Sequence, residues 1–289
     1  MTAPLGKLII FGVGLIGGSV ALALREANAV KEIVGFGRSQ VSLNEARQLG
    51  LIDRIGEDLA SELPDADVIL LATPVAQMAE LFVRIAPHLA ANTLITDGGS
   101  TKGDVVAYAR AALGEKVAQF VPAHPIAGAE QSGASAARAE LYRGKKVVLT
   151  PLPENAPEAV ARIREVWETC GASVHPMSPT EHDAVFAAVS HLPHLLSFAL
   201  VHDLAQRDNR DVLLSFAASG FRDFTRIAAS SPEMWRDICL ANREALLREL
   251  ESYQQQLDSL HRALKLRDGV ALESVFSLAR NVRGNWPAP

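Results

Sequence analysis

Three short segments of the sequence carry side chains that could move a proton or hold an anion. The first begins with His124, the second holds His191 and His194, and the third carries Arg222 and Arg226. Imidazole changes its protonation near neutral pH, and guanidinium pairs with a carboxylate through two parallel hydrogen bonds. A single histidine at a strand end is more often structural than catalytic. The three segments together make catalysis the stronger hypothesis.

A glycine-rich turn near the start of the chain is typical of dinucleotide binding. Gly12, Gly14 and Gly17 form the pattern G-x-G-x-x-G between a predicted strand and a predicted helix. There the first glycine permits a tight turn, the second lets backbone approach the pyrophosphate, and the third lets the helix pack closely. The alternative is a glycine-rich turn without a ligand. The predicted cofactor site includes Gly12, Val13, Gly14, Leu15, Ile16 and Gly17.

The end of the second predicted strand bears on the choice between NAD and NADP. An NAD-selective fold usually places an acid about 20 residues past the motif, where it holds the ribose 2′-hydroxyl. Gly37 stands at that place, and Arg38 and Ser39 follow it. A missing carboxylate removes repulsion against a 2′-phosphate, with which arginine can pair. We therefore predict that NADP is favoured over NAD. The alternative is that Arg38 is solvated and stacks on the adenine.

Two further turns follow predicted strands, at the sheet edge where ligands bind in open α/β folds. One is Thr73-Pro74, and the other covers 97–100 and ends at Ser100. Both could be ordinary strand-to-helix turns. Their placement predicts that Thr73, Pro74 and Ser100 contact the cofactor.

Short apolar runs alternate with helical patterns over the first half of the chain. The runs are rich in Val, Ile and Leu, as buried parallel strands are. Strands are predicted at 7–12, 32–36, 67–72, 93–96, 118–123, 145–150 and 172–175, and helices at 75–85, 101–113 and 158–169. This alternation predicts an α/β fold with a doubly wound, mostly parallel sheet of the Rossmann type.

The character of the sequence changes after residue 178. Ser178, Pro179 and Glu181 predict a helix start, and leucines at steps of three and four residues predict one long helix over 232–266. We expect a dinucleotide-binding domain over 1–178 and an all-α domain over 179–289. Such a long helix either packs within its own domain or, as we favour, forms a subunit interface.

The composition argues against several classes of partner. The 289-residue chain is 48% hydrophobic, has a net charge of −5 and holds two distant cysteines. A duplex-binding protein normally shows a basic field, and two such thiols form no disulfide framework or metal cluster. Residues 8–24 mimic a secretory signal but hold the glycine motif, and they are short of the roughly 20 apolar residues of a membrane span. We expect a cytoplasmic protein that binds no nucleic acid, membrane or metal.

Taken in order, the motifs resemble the prephenate/arogenate dehydrogenase family over nearly the full length of the chain. The resemblance rests on residues 12–19 (GVGLIGGS), 72–74 (ATP), 99–102 (GSTK), 124–128 (HPIAG), 190–194 (SHLPH) and 221–226 (FRDFTR). It implies oxidative decarboxylation of prephenate, of arogenate or of both in tyrosine biosynthesis, with hydride transfer to NAD or NADP. It also implies a Rossmann-type domain, then a helical domain that forms a homodimer, with the active site in the cleft between them.

The resemblance implies roles for single residues. His124 matches the catalytic histidine, which accepts the proton of the substrate hydroxyl as hydride leaves. Ser100 matches a serine that orients this histidine beside the nicotinamide, and a helix cap is its other possible role. His194 and Arg226 match groups that bind substrate, Arg226 by pairing with a carboxylate.

Three more positions have less defined roles. Arg222 stands where some relatives have lysine, and it would favour prephenate over the ammonium-bearing arogenate if it faces the substrate. Asp223 is expected to orient neighbouring groups or to form an ion pair near the cleft. Glu130 matches an acidic position at the mouth of the cleft, where a solvated surface role is equally open.

Two other classes of function stay open from the sequence alone. Another two-domain NADP-dependent reductase, such as a β-hydroxyacid dehydrogenase, would share the glycine motif. It would not require His124, His194 and Arg226 together. A non-catalytic NADP-sensing protein would bind the cofactor without turnover.

Overall fold

The computed structural model describes residues 3–128 and 131–286. Two compact units make up the chain, one over residues 1–243 and the other over 244–289.

The first unit starts with a parallel five-stranded sheet. Its strands are β1 (Leu5–Phe11), β2 (Val30–Phe36), β3 (Arg54–Ile55), β4 (Val68–Leu71) and β5 (Leu94–Asp97). They lie in the order β3-β2-β1-β4-β5. The order in which strands are added therefore reverses between β1 and β4. These two strands pair in parallel, and their carboxyl ends meet at Phe11 and Leu71. In open α/β sheets, ligands bind at such a reversal.

Three more strands form a second, smaller sheet. They are β6 (Ala123–Pro125), β7 (Lys146–Leu149) and β8 (Ser173–Pro176). β6 is antiparallel to β7, and β8 is parallel to it. The strand predicted over 118–123 begins only at Ala123. Phe120 instead forms an isolated bridge with Ile95 of β5, and Pro122 has no N–H to continue a ladder.

Helices cover both faces of the large sheet. Alternate residues of β1 separate two hydrophobic clusters, because successive side chains of a strand face opposite ways. Leu8 and Ile10 belong to the cluster that holds Trp167, whereas Ile9 belongs to the one that holds Phe82. The helices up to the end of β8 are α1 (Leu15–Glu26), α2 (Gln40–Gln48), α3 (Leu59–Glu62), α4 (Met78–Ile85), α5 (Gly103–Leu113) and α6 (Pro157–Thr169).

The part of the first unit that follows β8 is helical, as predicted. Its helices are α7 (Pro179–Phe186), α8 (Leu192–Ala205), α9 (Arg210–Ser215), α10 (Ser219–Thr225) and α11 (Pro232–Ala241). The predicted start of α7 is confirmed, since the Ser178 hydroxyl accepts the N–H of Glu181 at 3.1 Å. A π-helical turn, Ala187–His191, joins α7 to α8. By length and hydropathy alone, the stretch Pro179–Ala205 could cross a membrane, a test that core helices of soluble proteins also pass.

The second unit contains two helices joined by a short turn. It consists of most of α12 (Arg243–Leu266) and of α13 (Gly269–Asn285), and Asp268 caps α13 by accepting the N–H of Ala271 at 3.0 Å. The single helix predicted over 232–266 is wrong, because α11 and α12 are separate helices. Asn242 interrupts them with φ −101° and ψ 30°.

Candidate active site

His124 lies in the middle of β6, with its ring packed among other rings. The ring centroids of His182 and Phe186, both in α7, lie 5.0 Å and 4.8 Å from that of His124. Nδ1 of His124 is 2.8 Å from Nε2 of His182, which is a hydrogen bond between the two imidazoles. The strand therefore presents the predicted catalytic histidine directly to the first helix after β8.

Asp183 fixes the direction of this hydrogen bond. Its carboxylate accepts the backbone N–H of Lys102 at 2.9 Å and that of Gly103 at 2.8 Å. Nδ1 of His182 lies 2.8 Å from the same carboxylate. A carboxylate only accepts, so His182 carries its proton on Nδ1 and has a bare Nε2. That atom accepts Nδ1–H of His124, and a neutral His124 is left with a bare Nε2.

Charge and burial keep both rings neutral. Burial, together with His182, Lys102 and His191, holds the pKa of His124 well below its ordinary value. Burial also lowers the pKa of His182, although Asp183 acts in the opposite direction. Burial alone would raise the pKa of Asp183, but its hydrogen bonds with His182 and two backbone amides lower it overall. Near neutral pH the site thus holds two uncharged imidazoles and one carboxylate.

A buried ion pair lies behind His124. Lys102 and Asp97 have no exposed surface, and the ammonium of Lys102 pairs with the carboxylate of Asp97. The ammonium also donates to the carbonyl of Ala123 at 2.9 Å, and Asp97 accepts the N–H of Ala123 at 2.9 Å. The pair therefore holds both backbone groups of the residue that precedes His124.

Two further histidines follow along the same helical stretch. His191 is buried at the end of the π-helical turn, a feature that often marks functional sites, and its Nδ1 lies 3.0 Å from the side-chain nitrogen of Asn242. Burial lowers the pKa of His191 to about 4. His194 stacks on Trp235 of α11, with ring centroids 3.6 Å apart. Its Nδ1 donates to the carbonyl of Ser190 at 2.9 Å, which leaves Nε2 bare in the neutral ring.

The two predicted arginines lie at α10 and just after it. Both side chains are exposed. The hydroxyl of Ser197 donates to the carbonyl of Phe224 at 3.3 Å and joins α8 to α10. Burial first, and then the charge of Arg226, lower the pKa of His194. Arg226 thus acts electrostatically on His194, whereas Arg222 contacts neither histidine within residues 3–128 and 131–286.

A cavity of about 410 Å³ lies at the carboxyl ends of β1, β2 and β4. One face of α4 closes it, with Gln77 before the helix and Leu81 and Arg84 within it. Of the predicted cofactor residues, those that line the cavity are Gly12, Val13, Gly14, Arg38, Ser39, Thr73 and Pro74. Leu15 and Ile16 instead pack against the hydrophobic cluster below.

The lining of the cavity fits a dinucleotide. Gly12 has φ +92°, and a Cβ there would lie 2.5 Å from the carbonyl oxygen of Ala72. A Cβ on Gly14 would meet nothing within 4 Å, so backbone is open to a ligand at the start of α1. No side chain caps that helix start, which leaves its first N–H groups for an anion. The buried hydroxyl of Thr73 has no hydrogen-bond partner within the described chain.

Ser100, Gly17 and Glu130 are the remaining predicted positions. Ser100 is half-buried after β5, and the described ranges show no hydrogen bond to its hydroxyl. His182, not Ser100, holds Nδ1 of His124, so the orienting role of Ser100 stays a prediction. Gly17 packs against the backbone of Gly12, whose oxygen would lie 2.4 Å from an added Cβ. Glu130 lies outside the described residues.

Several residues of the site were not predicted from the sequence. His182 and Asp183 follow the predicted helix start directly, and an adjacent histidine and carboxylate in a first helical turn is the only signal they give. Trp235 and Asn242 fall within the predicted long helix and give none. Lys102 closes the motif at 99–102, but its buried contact with Ala123 is a tertiary feature.

Comparison with known proteins identifies the family. Residues 20–188 match the family model described as prephenate dehydrogenase, nucleotide-binding domain. Residues 178–278 match the model described as prephenate dehydrogenase, dimerization domain. The prephenate dehydrogenase of Bacillus subtilis (strain 168) is 36% identical over 282 residues, which cover 97% of this chain and 76% of that relative.

Solved structures agree with the sequence matches. Prephenate dehydrogenase from A. aeolicus, in complex with hydroxyphenyl propionate and NAD+, is 34% identical and covers 98% of this chain and 99% of its own, with a TM-score of 0.90. Synechocystis arogenate dehydrogenase is 31% identical and covers 97% of this chain and all of its own, with a TM-score of 0.82. The family models, the identity and the shared fold together show that this oxidoreductase belongs to the prephenate dehydrogenase family.

Proposed function

We propose that this protein oxidises prephenate, with loss of carbon dioxide, to 4-hydroxyphenylpyruvate in tyrosine biosynthesis. The observation that carries the proposal is the bare Nε2 of His124, which the hydrogen bonds from Asp183 through His182 leave free to accept a proton. A cytoplasmic location and a domain boundary near residue 178 are part of the same proposal.

The chemistry needs a proton acceptor beside a hydride acceptor. Prephenate is a cyclohexadiene with a hydroxyl on C4 and a carboxylate on C1. When bound in the cavity, a nicotinamide dinucleotide supplies the hydride acceptor. His124 takes the hydroxyl proton at Nε2, an effect typically worth about 10²–10⁴-fold in rate. With hydride gone from C4, the bond from C1 to the carboxylate breaks, and its electron pair passes through the ring to the oxygen on C4. That oxygen takes the proton back from Nε2 of His124. The ring becomes aromatic as carbon dioxide leaves, so the step is effectively irreversible.

We assign the binding of a substrate carboxylate to Arg226 and His194. The guanidinium can pair with a carboxylate through two hydrogen bonds. Nδ1 of His194 already donates to Ser190, so Nε2 can donate to a carboxylate only when the ring takes up a proton. A bound carboxylate favours that protonated ring, as an opposite charge does. Arg222 and Glu130 remain proposed substrate contacts.

NADP is the proposed preferred cofactor. Arg38 and Ser39 line the cavity beside Gly37, where an NAD-selective fold would carry an acid. The relative from A. aeolicus binds NAD+, so the preference of this chain depends on its own residues at the end of β2.

Replacing Arg38 by alanine should weaken NADP binding by about tenfold or more and NAD binding much less, because only NADP carries the 2′-phosphate. Dissociation constants from fluorescence titration would measure the effect. Arg47→Ala is the matched control, since Arg47 is an exposed arginine in the last turn of α2 that does not line the cavity. Equal losses for NAD and NADP in Arg38→Ala would show that Arg38 does not recognise the 2′-phosphate.

A homodimer formed through the helical part of the chain is also proposed. The second unit leaves large apolar side chains exposed by between 46% and 80%, among them Leu257, Leu264, Val270, Phe276 and Leu278. Exposed apolar surface on this scale is typical of an interface. The match to a dimerization domain supports the same conclusion.

The direct test measures nicotinamide reduction by absorbance, with prephenate or arogenate and with NAD or NADP. We expect the highest kcat/KM with prephenate and NADP. Arogenate is the second candidate, because a similar structure is that of an arogenate dehydrogenase. Faster turnover of arogenate would reverse the substrate assignment. No turnover in any of the four combinations, with cofactor still bound, would refute the proposed reaction.

A further inference from the structure

The lysine that ends the motif at 99–102 has no role in the mechanism described so far. Lys102 is fully buried and does not line the cofactor cavity. Its ammonium contacts Asp97 and the carbonyl of Ala123. A lysine chosen for contact with an anionic substrate would keep its charged end in the site.

Stability alone does not account for a buried ion pair. Removing two charges from water is costly, and replacing such pairs with apolar residues is often neutral or stabilising. Stability is therefore weak support for this pair, and its contacts indicate another role. Here Lys102 donates to the carbonyl of Ala123, and Asp97 accepts the N–H of Ala123, at 2.9 Å each.

The same segment also holds the far end of the imidazole chain. The backbone N–H groups of Lys102 and Gly103 donate to Asp183 at 2.9 Å and 2.8 Å. Asp183 in turn orients His182, the hydrogen-bond partner of His124. One short stretch of chain, 97–103, therefore sets both the strand that carries His124 and the carboxylate that sets its tautomer.

We propose that Lys102, through its ion pair with Asp97, is the positioning residue that places His124 against the substrate. The proposal rests on the proposed function, because His124 must be the base for its position to matter. The pair fixes Ala123, and Ala123 fixes where the imidazole of His124 stands. A displacement of about 1 Å at a reacting group can cost about 10²-fold in rate.

The charge of Lys102 gives the proposal a second, independent readout. Within residues 3–128 and 131–286, the charged or titratable groups around His124 are His182 and Asp183 from α7, His191 from the π-helical turn, and Lys102 and Asp97 from the segment before α5. Lys102 is one of the groups that lower the pKa of His124. Its removal therefore raises that pKa, and His124 becomes protonated, and inactive as a base, at a higher pH than in the wild type.

The test compares Lys102→Met with the wild-type protein. We expect kcat to fall by about 10-fold to 10²-fold, with cofactor affinity unchanged and with the acid limb of kcat/KM moved to higher pH. Lys7→Met is the matched control, because Lys7 is also buried and ion-paired, with Glu62 at 2.9 Å. Lys7 lies in β1, outside the site, so its loss should lower thermal stability without changing the pH profile.

A second variant and a second measurement keep the outcome decisive. Methionine at 102 leaves Asp97 buried without a partner, so Asp97→Asn/Lys102→Met, which removes both charges, replaces the single variant if that does not fold. NMR titration of ¹⁵N-labelled histidine, assigned through His124→Asn, measures the His124 ring without any substrate. An unchanged His124 titration, or unchanged kcat, in Lys102→Met overturns the proposal. If the wild-type protein is inactive but the His124 titration still shifts in Lys102→Met, the proposed reaction is refuted. The effect of Lys102 on His124 then still stands.

Discussion

Replacing His124 by asparagine is expected to lower kcat by about 10²-fold or more, with little change in cofactor affinity. The side-chain amide of asparagine can occupy the place of Nδ1 and still donate to Nε2 of His182, which lies 2.8 Å from Nδ1 in the wild type. Asparagine has no counterpart of Nε2. The variant therefore removes the proton acceptor and keeps the hydrogen bond that positions it. Initial rates of nicotinamide reduction, with dissociation constants from fluorescence titration, measure both quantities.

The control for this variant lies on the same small sheet. His124 pairs with Val148, and Val148 pairs with His175 on the far strand. His175 is exposed, so His175→Asn makes the same chemical change at the same register without touching the site. We expect wild-type kcat from it. Turnover near the wild-type rate in His124→Asn would show that another group accepts the proton.

Most of the first sheet follows from local patterns. Short runs of Val, Ile and Leu predict buried strands at 7–12, 32–36, 67–72 and 93–96. The structure has a strand at each of these four places, namely β1, β2, β4 and β5. Alternate residues of β1 feed the two hydrophobic clusters, which is what a doubly wound sheet requires. The strand β3 contains only Arg54 and Ile55, too few residues for a periodic pattern to show.

The break between α11 and α12 could not be predicted from periodicity. Leucines at helical spacing continue across the break. An asparagine inside such a pattern does not by itself predict that the helix ends. Asn242 leaves the helical conformation while its amide donates to the carbonyl of Asp183 at 2.8 Å and lies 3.0 Å from His191. Both partners are more than 50 residues away along the chain. Tertiary hydrogen bonds of this kind override local preference.

The candidate site also contains residues that the sequence predicts and residues that only the structure shows. His124, His194 and Arg226 were found through family motifs, and the glycine turn was found through its strand-to-helix setting. The partner of His124 was not, because His182 lies 58 residues further along and belongs to another element. The sequence predicts Ser100 as the group that orients His124, whereas the structure shows His182 bonded to Nδ1. The family motif predicts that His124 is the base, and only packing shows which group lies on its Nδ1.

Asp183→Asn should therefore lower kcat by about 10²-fold or more, although Asp183 touches neither substrate nor cofactor in the proposed mechanism. An asparagine has one oxygen, so its NH₂ must oppose a donor that the carboxylate now accepts. Facing His182, the NH₂ moves the proton of that ring to Nε2, and His124 then keeps its own proton on Nε2. Facing Gly103, it repels the backbone N–H that Asp183 now accepts at 2.8 Å. A wrong tautomer behind a catalytic histidine is costly even when the geometry survives.

The pH dependence separates this cause from simple misfolding. A neutral ring in the wrong tautomer is not repaired by removing protons from solution, so raising the pH should not restore the kcat of Asp183→Asn. Asp67→Asn is the control, because Asp67 also accepts two successive backbone N–H groups, from Gly6 and Lys7, and lies at the amino ends of β1 and β4, away from the site. Thermal melts of both variants separate a loss of kcat from a loss of stability. An equal loss of kcat in Asp67→Asn would indicate a purely structural role for Asp183. Recovery of kcat in Asp183→Asn at high pH would indicate a shifted pKa. Either result would show that the hydrogen-bond chain does not set the tautomer of His124.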